Sequence, residues 1–224
     1  MEKNRGGTFG FLPYFLYLYG RKTNAGMRVE KTKISGVYVV YPQVHEDERG
    51  YFVESFNERE FNEKTGADFH PVQDNESLSS EGVLRGLHFQ RPPHEQAKLV
   101  RVVQGRVLDV AVDLRPGSET YGQYVSIVLD EHEHNQFFIP KGFAHGFYVL
   151  TEWAKFQYKC DDYYAPECED GIAWDDKDID IEWTNTSFHK PPKSKLKLSK
   201  KDEKRKTLKE YTEEINGEGN GKDK

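Results

Sequence analysis

Between Ile34 and Cys160 the chain breaks into short segments rich in β-branched and aromatic residues, and turn signals separate them at short intervals. The segments are Ile34–Tyr41, Tyr51–Phe56, Val83–Gln90, Lys98–Gln104, Arg106–Leu114, Tyr121–Leu129, Gln136–Ile139, Phe143–Leu150 and Lys155–Cys160. Gln104-Gly105, Pro116-Gly117 and Pro140-Lys141-Gly142 punctuate them. Leu108, Val110 and Val112 alternate with Asp109, Ala111 and Asp113, the two-residue period of a strand. Before the C-terminal region only Asn57–Lys64 reads as a helix. Many evenly spaced short strands with almost no helix restrict the chain to an all-β sandwich, barrel or jelly roll with short peripheral helices.

The 224 residues suffice for one domain with a hydrophobic core. Although 31% of residues are charged, 14 Phe, 13 Tyr and 3 Trp supply the area to bury. The polar excess collects at the end. From Lys193 onward Lys and Glu dominate, Leu208–Ile215 has the spacing of a short amphipathic helix, and Gly217–Lys224 carries no apolar residue and reads as disordered. We therefore expect an N-terminal extension over residues 1–26, the folded domain over 27–192 and a Lys/Glu-rich segment over 193–224. Phe9–Tyr19 is aromatic and leucine-rich, but it is shorter than the ~20 residues of a membrane span and Pro13 interrupts it. No small-residue cleavage site stands out before Asn24-Ala25-Gly26, so an extension outside the fold is favoured over a signal peptide, and Met27 is an alternative start. No membrane partner is expected. The net charge of −6 argues against a general nucleic-acid binder, while leaving local basic residues to hold a small anion such as a diphosphate. Cys160 and Cys168 form neither a disulfide framework nor a zinc site and read as reduced thiols of a cytoplasmic protein. There is no internal repeat, P-loop or dinucleotide-binding glycine fingerprint.

Arg85-Gly86-Leu87-His88-Phe89-Gln90 places an arginine, a histidine and a glutamine among apolar residues. Gly86 inside a strand marks a bulge or a close backbone approach. A lone histidine is more often structural than catalytic, but here Lys98 and the Asp109/Asp113 face add polar groups on neighbouring strands. That face is either solvated or lines a ligand cavity, and the alternation does not choose between them. Ile139–Phe147 places two glycines and His145 among aromatics, as a tight approach to a ligand or a core turn would. Tyr158, Tyr163 and Tyr164 cluster further on; a tyrosine donates to a carbanion or enolate only when held in place. His132-Glu133-His134 has the His-x-His spacing of jelly-roll metal sites, but it lies in the polar stretch Asp130–Asn135, which reads as a solvated turn. No metal is expected.

Taken in order, Asp47–Phe52, Val72–Ser77, Gly82–Gln90, Lys98–Val102, Asp109–Asp113, Ile139–Phe147, Gly171–Asp176 and Leu198–Asp202 closely resemble the dTDP-4-dehydrorhamnose 3,5-epimerase family. The resemblance runs from about Lys33 to Asp202. It implies a cupin-like jelly roll that needs no cofactor and epimerises dTDP-4-dehydro-6-deoxy-D-glucose at carbons 3 and 5 to dTDP-4-dehydro-L-rhamnose. By the same resemblance His88 is the general base, Asp202 its partner, Tyr158 the acid on the opposite face, Lys98 the enolate stabiliser and Asp109 a supporting carboxylate. Arg49, Glu54, Gln73, Asp74, Asn75, Arg85, His145, Glu169 and Lys201 match substrate contacts, and Tyr164 matches an aromatic that stacks on thymine. A homodimer built by strand exchange is also implied. The chain departs from the pattern in a long lysine-rich stretch between Trp183 and Leu198 and in its Lys/Glu-rich tail. Two rival readings accompany this one, a single-carbon epimerase or ketone-shifting enzyme of the same fold and a non-catalytic sugar-nucleotide binder. Retention of His88, Lys98 and Tyr158 weighs against the binder, because binding alone does not need an acid and a base across a cavity.

Overall fold

The structure, a computed structural model, describes residues 26–183 and 196–219. The expected N-terminal extension, apart from Gly26, lies outside the described residues, as do most of the lysine-rich stretch and residues 220–224.

Two antiparallel sheets face each other. The first runs in the order β1 (Arg28–Lys31), β2 (Tyr38–Tyr41), β10 (Gln136–Ile139), β7 (Lys98–Gln104), β12 (Trp153–Cys160) and β5 (Gln73–Ser80). The second runs β13 (Glu169–Gly171), β6 (Leu84–Gln90), β11 (Phe143–Val149), β8 (Arg106–Asp113) and β9 (Tyr124–Asp130). From β5 to β13 the chain changes sheet at every connection except β8 to β9, which is the all-β jelly roll expected from the strand pattern. Val100, Val102, Phe137 and Ile139 of the first sheet meet Val107, Ala111, Phe143 and Phe147 of the second to form the core. A separate hairpin, β3 (Val44–Asp47) and β4 (Gly50–Val53), belongs to neither sheet.

The helix expected at Asn57–Lys64 is α1 (Glu58–Thr65), with Asn57 as its N-cap: the Asn57 side chain accepts the Glu60 N–H at 3.2 Å. Phe61 and Phe69 beneath it pack edge-on against Phe138. The second helix, α2 (Leu208–Gly219), runs beyond Ile215 into the stretch without apolar residues, and among its side chains Leu208 and Tyr211 are buried. With Ile179 and Trp183 they cover Leu108, Val110 and Val112. The apolar face of β8 is therefore the outer face of its sheet, sealed by the C-terminal region. Asp109 and Asp113 point inward and are both fully buried. The solvated-face reading of these two aspartates is thereby overturned. Asp113 accepts hydrogen bonds from Arg115, Ser118 and Thr120, which hold its carboxyl near 2 against the opposing effect of burial.

Gly86 sits where β6 and β11 nearly touch. Its φ is +126°, a Cβ there would lie 2.5 Å from the Gly146 Cα, and the β6–β11 register shifts beside it. Only glycine meets both demands. Among the described residues no helix is long and apolar enough to cross a membrane.

Candidate active site

Residues of β5, β6, β7, β11 and β12 enclose a cavity of about 510 Å³, adjoined by a second lobe of about 370 Å³. Asn75, His88, Lys98, Tyr158 and Glu169 line both lobes, so the two are one cleft. Its volume is in the range of ligand-binding sites. The second sheet supplies His88, Arg85, His145 and Glu169, the first supplies Asn75, Lys98 and Tyr158, and the C-terminal segment supplies Ser199, Lys201 and Asp202.

His88 Nε2–H donates to Asp202 Oδ1 at 2.5 Å, leaving the other ring nitrogen to accept a proton. The pair joins residues 114 apart in sequence. Asp202 reaches it because Leu84 N–H bonds the Lys197 carbonyl and Lys197 N–H bonds the Gly82 carbonyl, laying the segment along β6. Ser199 then starts a short 3-10 turn over Asp202–Lys204, its Oγ donating to Asp202 Oδ2 at 2.9 Å. Burial would raise the Asp202 carboxyl, but His88, Ser199 and the nearby Arg205 outweigh it and hold the group below its ordinary value.

A second histidine–aspartate pair lies deeper. His145 Nε2 bonds both Asp109 oxygens, at 3.0 and 3.1 Å. Burial pushes the Asp109 carboxyl up, although His145 and Lys98 pull against it. Burial pulls the Lys98 ammonium down, and among the described residues that ammonium makes no hydrogen bond or ion pair. An unpaired cation in a cavity wall is placed to receive negative charge. Tyr158, half-buried on β12, has its hydroxyl pushed up by burial, so the phenol stays protonated and able to donate.

Towards the second lobe the Tyr164 hydroxyl donates to Glu169 Oε2 at 2.6 Å, and Lys201 and Arg205 hold the other Glu169 oxygen. Burial opposes ionisation of Glu169, but Lys201, Tyr164 and Arg205 hold its carboxyl at about 2. Tyr164 N–H donates to Gln73 Oε1 at 3.0 Å, and Gln73 donates to Asn75 Oδ1 at 3.0 Å. Arg85 Nε bonds Ser79 Oγ at 3.1 Å on the cavity rim.

The cleft thus brings together His88, Tyr158, Lys98, Asp202, Gln73, Asn75, Arg85, His145, Tyr164, Glu169 and Lys201, with Asp109 buried behind His145. Three residues singled out in the sequence lie elsewhere in this chain. Asp74 projects from the opposite face of β5 to Asn75 and pairs with Lys159 at 2.9 Å. Arg49, at the turn of the β3–β4 hairpin, bonds Asp47, and Glu54 follows that hairpin and accepts from Asn57. His132 and His134 occupy a turn, as expected, and no cluster of three or more His, Cys, Asp or Glu among the described residues could hold a metal ion. Ser199 and Arg205 were not anticipated. A serine three residues before an aspartate is a capping signature that points to Ser199, whereas nothing local marks Arg205.

The family model for dTDP-4-dehydrorhamnose 3,5-epimerase matches residues 31–210. The dTDP-4-dehydrorhamnose 3,5-epimerase of Escherichia coli K12 is 49% identical over 184 residues, covering 82% of this chain and 96% of that protein. Two crystal structures superpose closely. The dTDP-4-dehydrorhamnose 3,5-epimerase of Elizabethkingia anophelis has a TM-score of 0.77 at 48% identity, over 82% of this chain and 97% of its own. The Legionella pneumophila 3,5-epimerase, in complex with dTDP-4-keto-L-rhamnose, has a TM-score of 0.75 at 45% identity, over 82% and 93%. The chain belongs to the dTDP-4-dehydrorhamnose 3,5-epimerase family of isomerases.

Proposed function

We propose that the protein epimerises dTDP-4-dehydro-6-deoxy-D-glucose at carbons 3 and 5, giving dTDP-4-dehydro-L-rhamnose. The observation that carries this reading is the placement of His88 on one sheet, with Asp202 of the C-terminal segment behind it, and of Tyr158 with Lys98 on the other sheet, all lining one cleft. A sugar held between the sheets has a base on one side and a phenol on the other. His88 takes the proton beside the ketone, and the electron pair moves onto the carbonyl oxygen, which faces Lys98. The resulting enolate takes a proton from the Tyr158 hydroxyl on the opposite face, inverting the carbon. Solvent then restores the proton to Tyr158 and removes it from His88. The ketone of the substrate is the electron sink, so no cofactor enters the scheme. Asp202 orients His88, and the buried His145–Asp109 pair supports the floor of the site. Arg85, Lys201, Gln73, Asn75 and Glu169 hold the diphosphate and sugar, with Tyr164 against the thymine.

We further propose that the jelly-roll domain over residues 27–192 works with the C-terminal segment that carries Asp202, in the cytoplasm, where the two free cysteines stay reduced, and that two copies associate. The β3–β4 hairpin belongs to neither sheet, with Tyr51 60% and Phe52 69% exposed, and among the described residues β5 is an edge strand. Docked on a second copy, the hairpin would bring Arg49 and Glu54 to the partner's cleft and give them the substrate-contact role. A monomer by light scattering would remove the association.

Proton NMR of the enzyme with the 4-keto sugar nucleotide in heavy water tests the reaction. Deuterium entering at both carbons 3 and 5 supports the double epimerase, and exchange at one carbon makes it a single-site epimerase. Binding without exchange would overturn the catalytic reading in favour of a binding module.

A further inference from the structure

Gln90 lies two residues beyond His88 on β6, at the end of the strand, and is 6% exposed. Its side-chain amide is nearly saturated. The nitrogen donates to the His94 carbonyl at 2.6 Å and to the Tyr163 carbonyl at 3.2 Å, while the oxygen accepts the Ala165 N–H at 2.8 Å. One buried side chain therefore grips the backbone on either side of Tyr164. Tyr164 itself is fixed by its own N–H to Gln73 and its hydroxyl to Glu169. Its ring is nevertheless 54% exposed on the second lobe of the cleft, which Gln90 also lines. A loop that exposes an aromatic ring ordinarily moves, and ordering it on ligand binding costs affinity. Here the cost is met in advance by a buried amide whose partners are all backbone.

We propose that Gln90 is a positioning residue for nucleotide recognition. It holds the Tyr163–Ala165 backbone so that the Tyr164 ring is presented in place to a planar heteroaromatic base. This rests on the reading that the base end of the nucleotide lies at Tyr164. Gln90 touches neither the base nor the reacting carbons in this role, and it acts through Tyr164. Strand β6 then carries both functions of the site from adjacent same-side positions, proton abstraction at His88 and base placement at Gln90.

The test uses Gln90→Glu in the full chain, which keeps the acceptor for Ala165 N–H and sets a carboxylate oxygen against two carbonyl oxygens. The probe is dTDP by calorimetry, alongside steady-state kinetics on the 4-keto sugar nucleotide. The dissociation constant for dTDP and the KM should both rise about tenfold, with kcat within about twofold of wild type. In a Tyr164→Ala background the same change should weaken dTDP by less than about twofold further, since residues acting as a unit are not additive. Unchanged dTDP affinity in Gln90→Glu, a fall in kcat at unchanged KM, or multiplying effects in the double variant would overturn the proposal. If Tyr164→Ala alone leaves dTDP binding intact, the underlying reading of the base end fails and the proposal falls with it. A measurement on the wild type does not depend on any variant folding. The Ala165 amide should be protected from hydrogen exchange before dTDP is added, and free-chain exchange there would also overturn the clamp.

Discussion

The molecule contains two histidine–aspartate pairs in one cleft, and they differ in how each aspartate is supported. His145 and Asp109 are 9% and 0% exposed and come from neighbouring strands β11 and β8. His88 and Asp202 are 33% and 4% exposed and come from strand β6 and the C-terminal segment, 114 residues apart. Both aspartates are buried, yet Asp109 is pushed up and Asp202 is held down. Burial alone does not decide the charge of a carboxylate. Asp109 has His145 and the more distant Lys98, whereas Asp202 has His88, the Ser199 hydroxyl and Arg205. Asp109 is the more deeply enclosed of the two and has fewer groups to offset that burial, and both differences push the shifts apart. The well-supported carboxylate stands behind the half-open histidine, as orienting a working base requires, and the poorly supported one underlies a histidine with little exposure.

The sharpest break of this comparison is His88→Asn, expected to lower kcat by about 10²–10⁴-fold in a deuterium-exchange assay, the contribution of a positioned base. His145→Asn should cost less, and equal losses would erase the distinction between the pairs. Next is Asp109→Ala, which leaves His145 buried without its partner and should cost about 3 kcal/mol of stability in urea unfolding. Asp202→Asn should lower the urea midpoint by less than Asp109→Ala does, while lowering kcat about 10- to 100-fold, as outer partners of a working histidine do. A stability loss larger than that of Asp109→Ala would invert the assignment.

Acid unfolding sharpens the same contrast. Asp113 and Glu169 are held at about 2, below the 3.8 and 4.5 of free side chains. The stability they contribute is fully present above those ordinary values and is lost as pH falls from about 4.5 towards 2. Asp109 is shifted the other way, so its contribution improves as it takes up a proton. Urea midpoints measured at pH 5, 4 and 3 should fall, because Asp113, Glu169 and Asp202 are all held down and oppose the one raised group among these four; a rise would make Asp109 dominant. The smallest effect is expected at Glu214 on α2, which pairs with Arg91 and Lys206 and is 39% exposed. Glu214→Ala should cost no more than about 1 kcal/mol, and less in high salt.

The strands legible in the sequence were those with an apolar face towards the core, β6, β7, β8, β11 and β12 among them. Strand β5, Gln73–Ser80, was not read as a strand, because its eight residues include a single aliphatic side chain, Leu78, which is itself exposed. One face of β5 is wet and the other lines the polar cleft, so neither shows the usual alternation. Strands β3 and β13 were missed for a related reason, being short and polar. In the site, motif order pointed to His88, Lys98, Tyr158 and Asp202. It could not say that Asp74 turns away beside Asn75, since adjacent strand residues point to opposite faces. Nor could it show the grip of Gln90 on a loop 73 residues away.

The sequence by itself determined the all-β class, through the spacing of its strands and turns, and the family, through the order of its motifs. Both are local properties repeated along the chain. The tertiary structure alone decided which face of β8 is inside. The period of two is the same whichever way the strand turns, and only the C-terminal layer of Ile179, Trp183, Leu208 and Tyr211 makes the outer face the apolar one. That choice buries Asp109 beneath His145. The same C-terminal layer leads back to the segment that carries Asp202 to His88, a contact across 114 residues that no local pattern encodes.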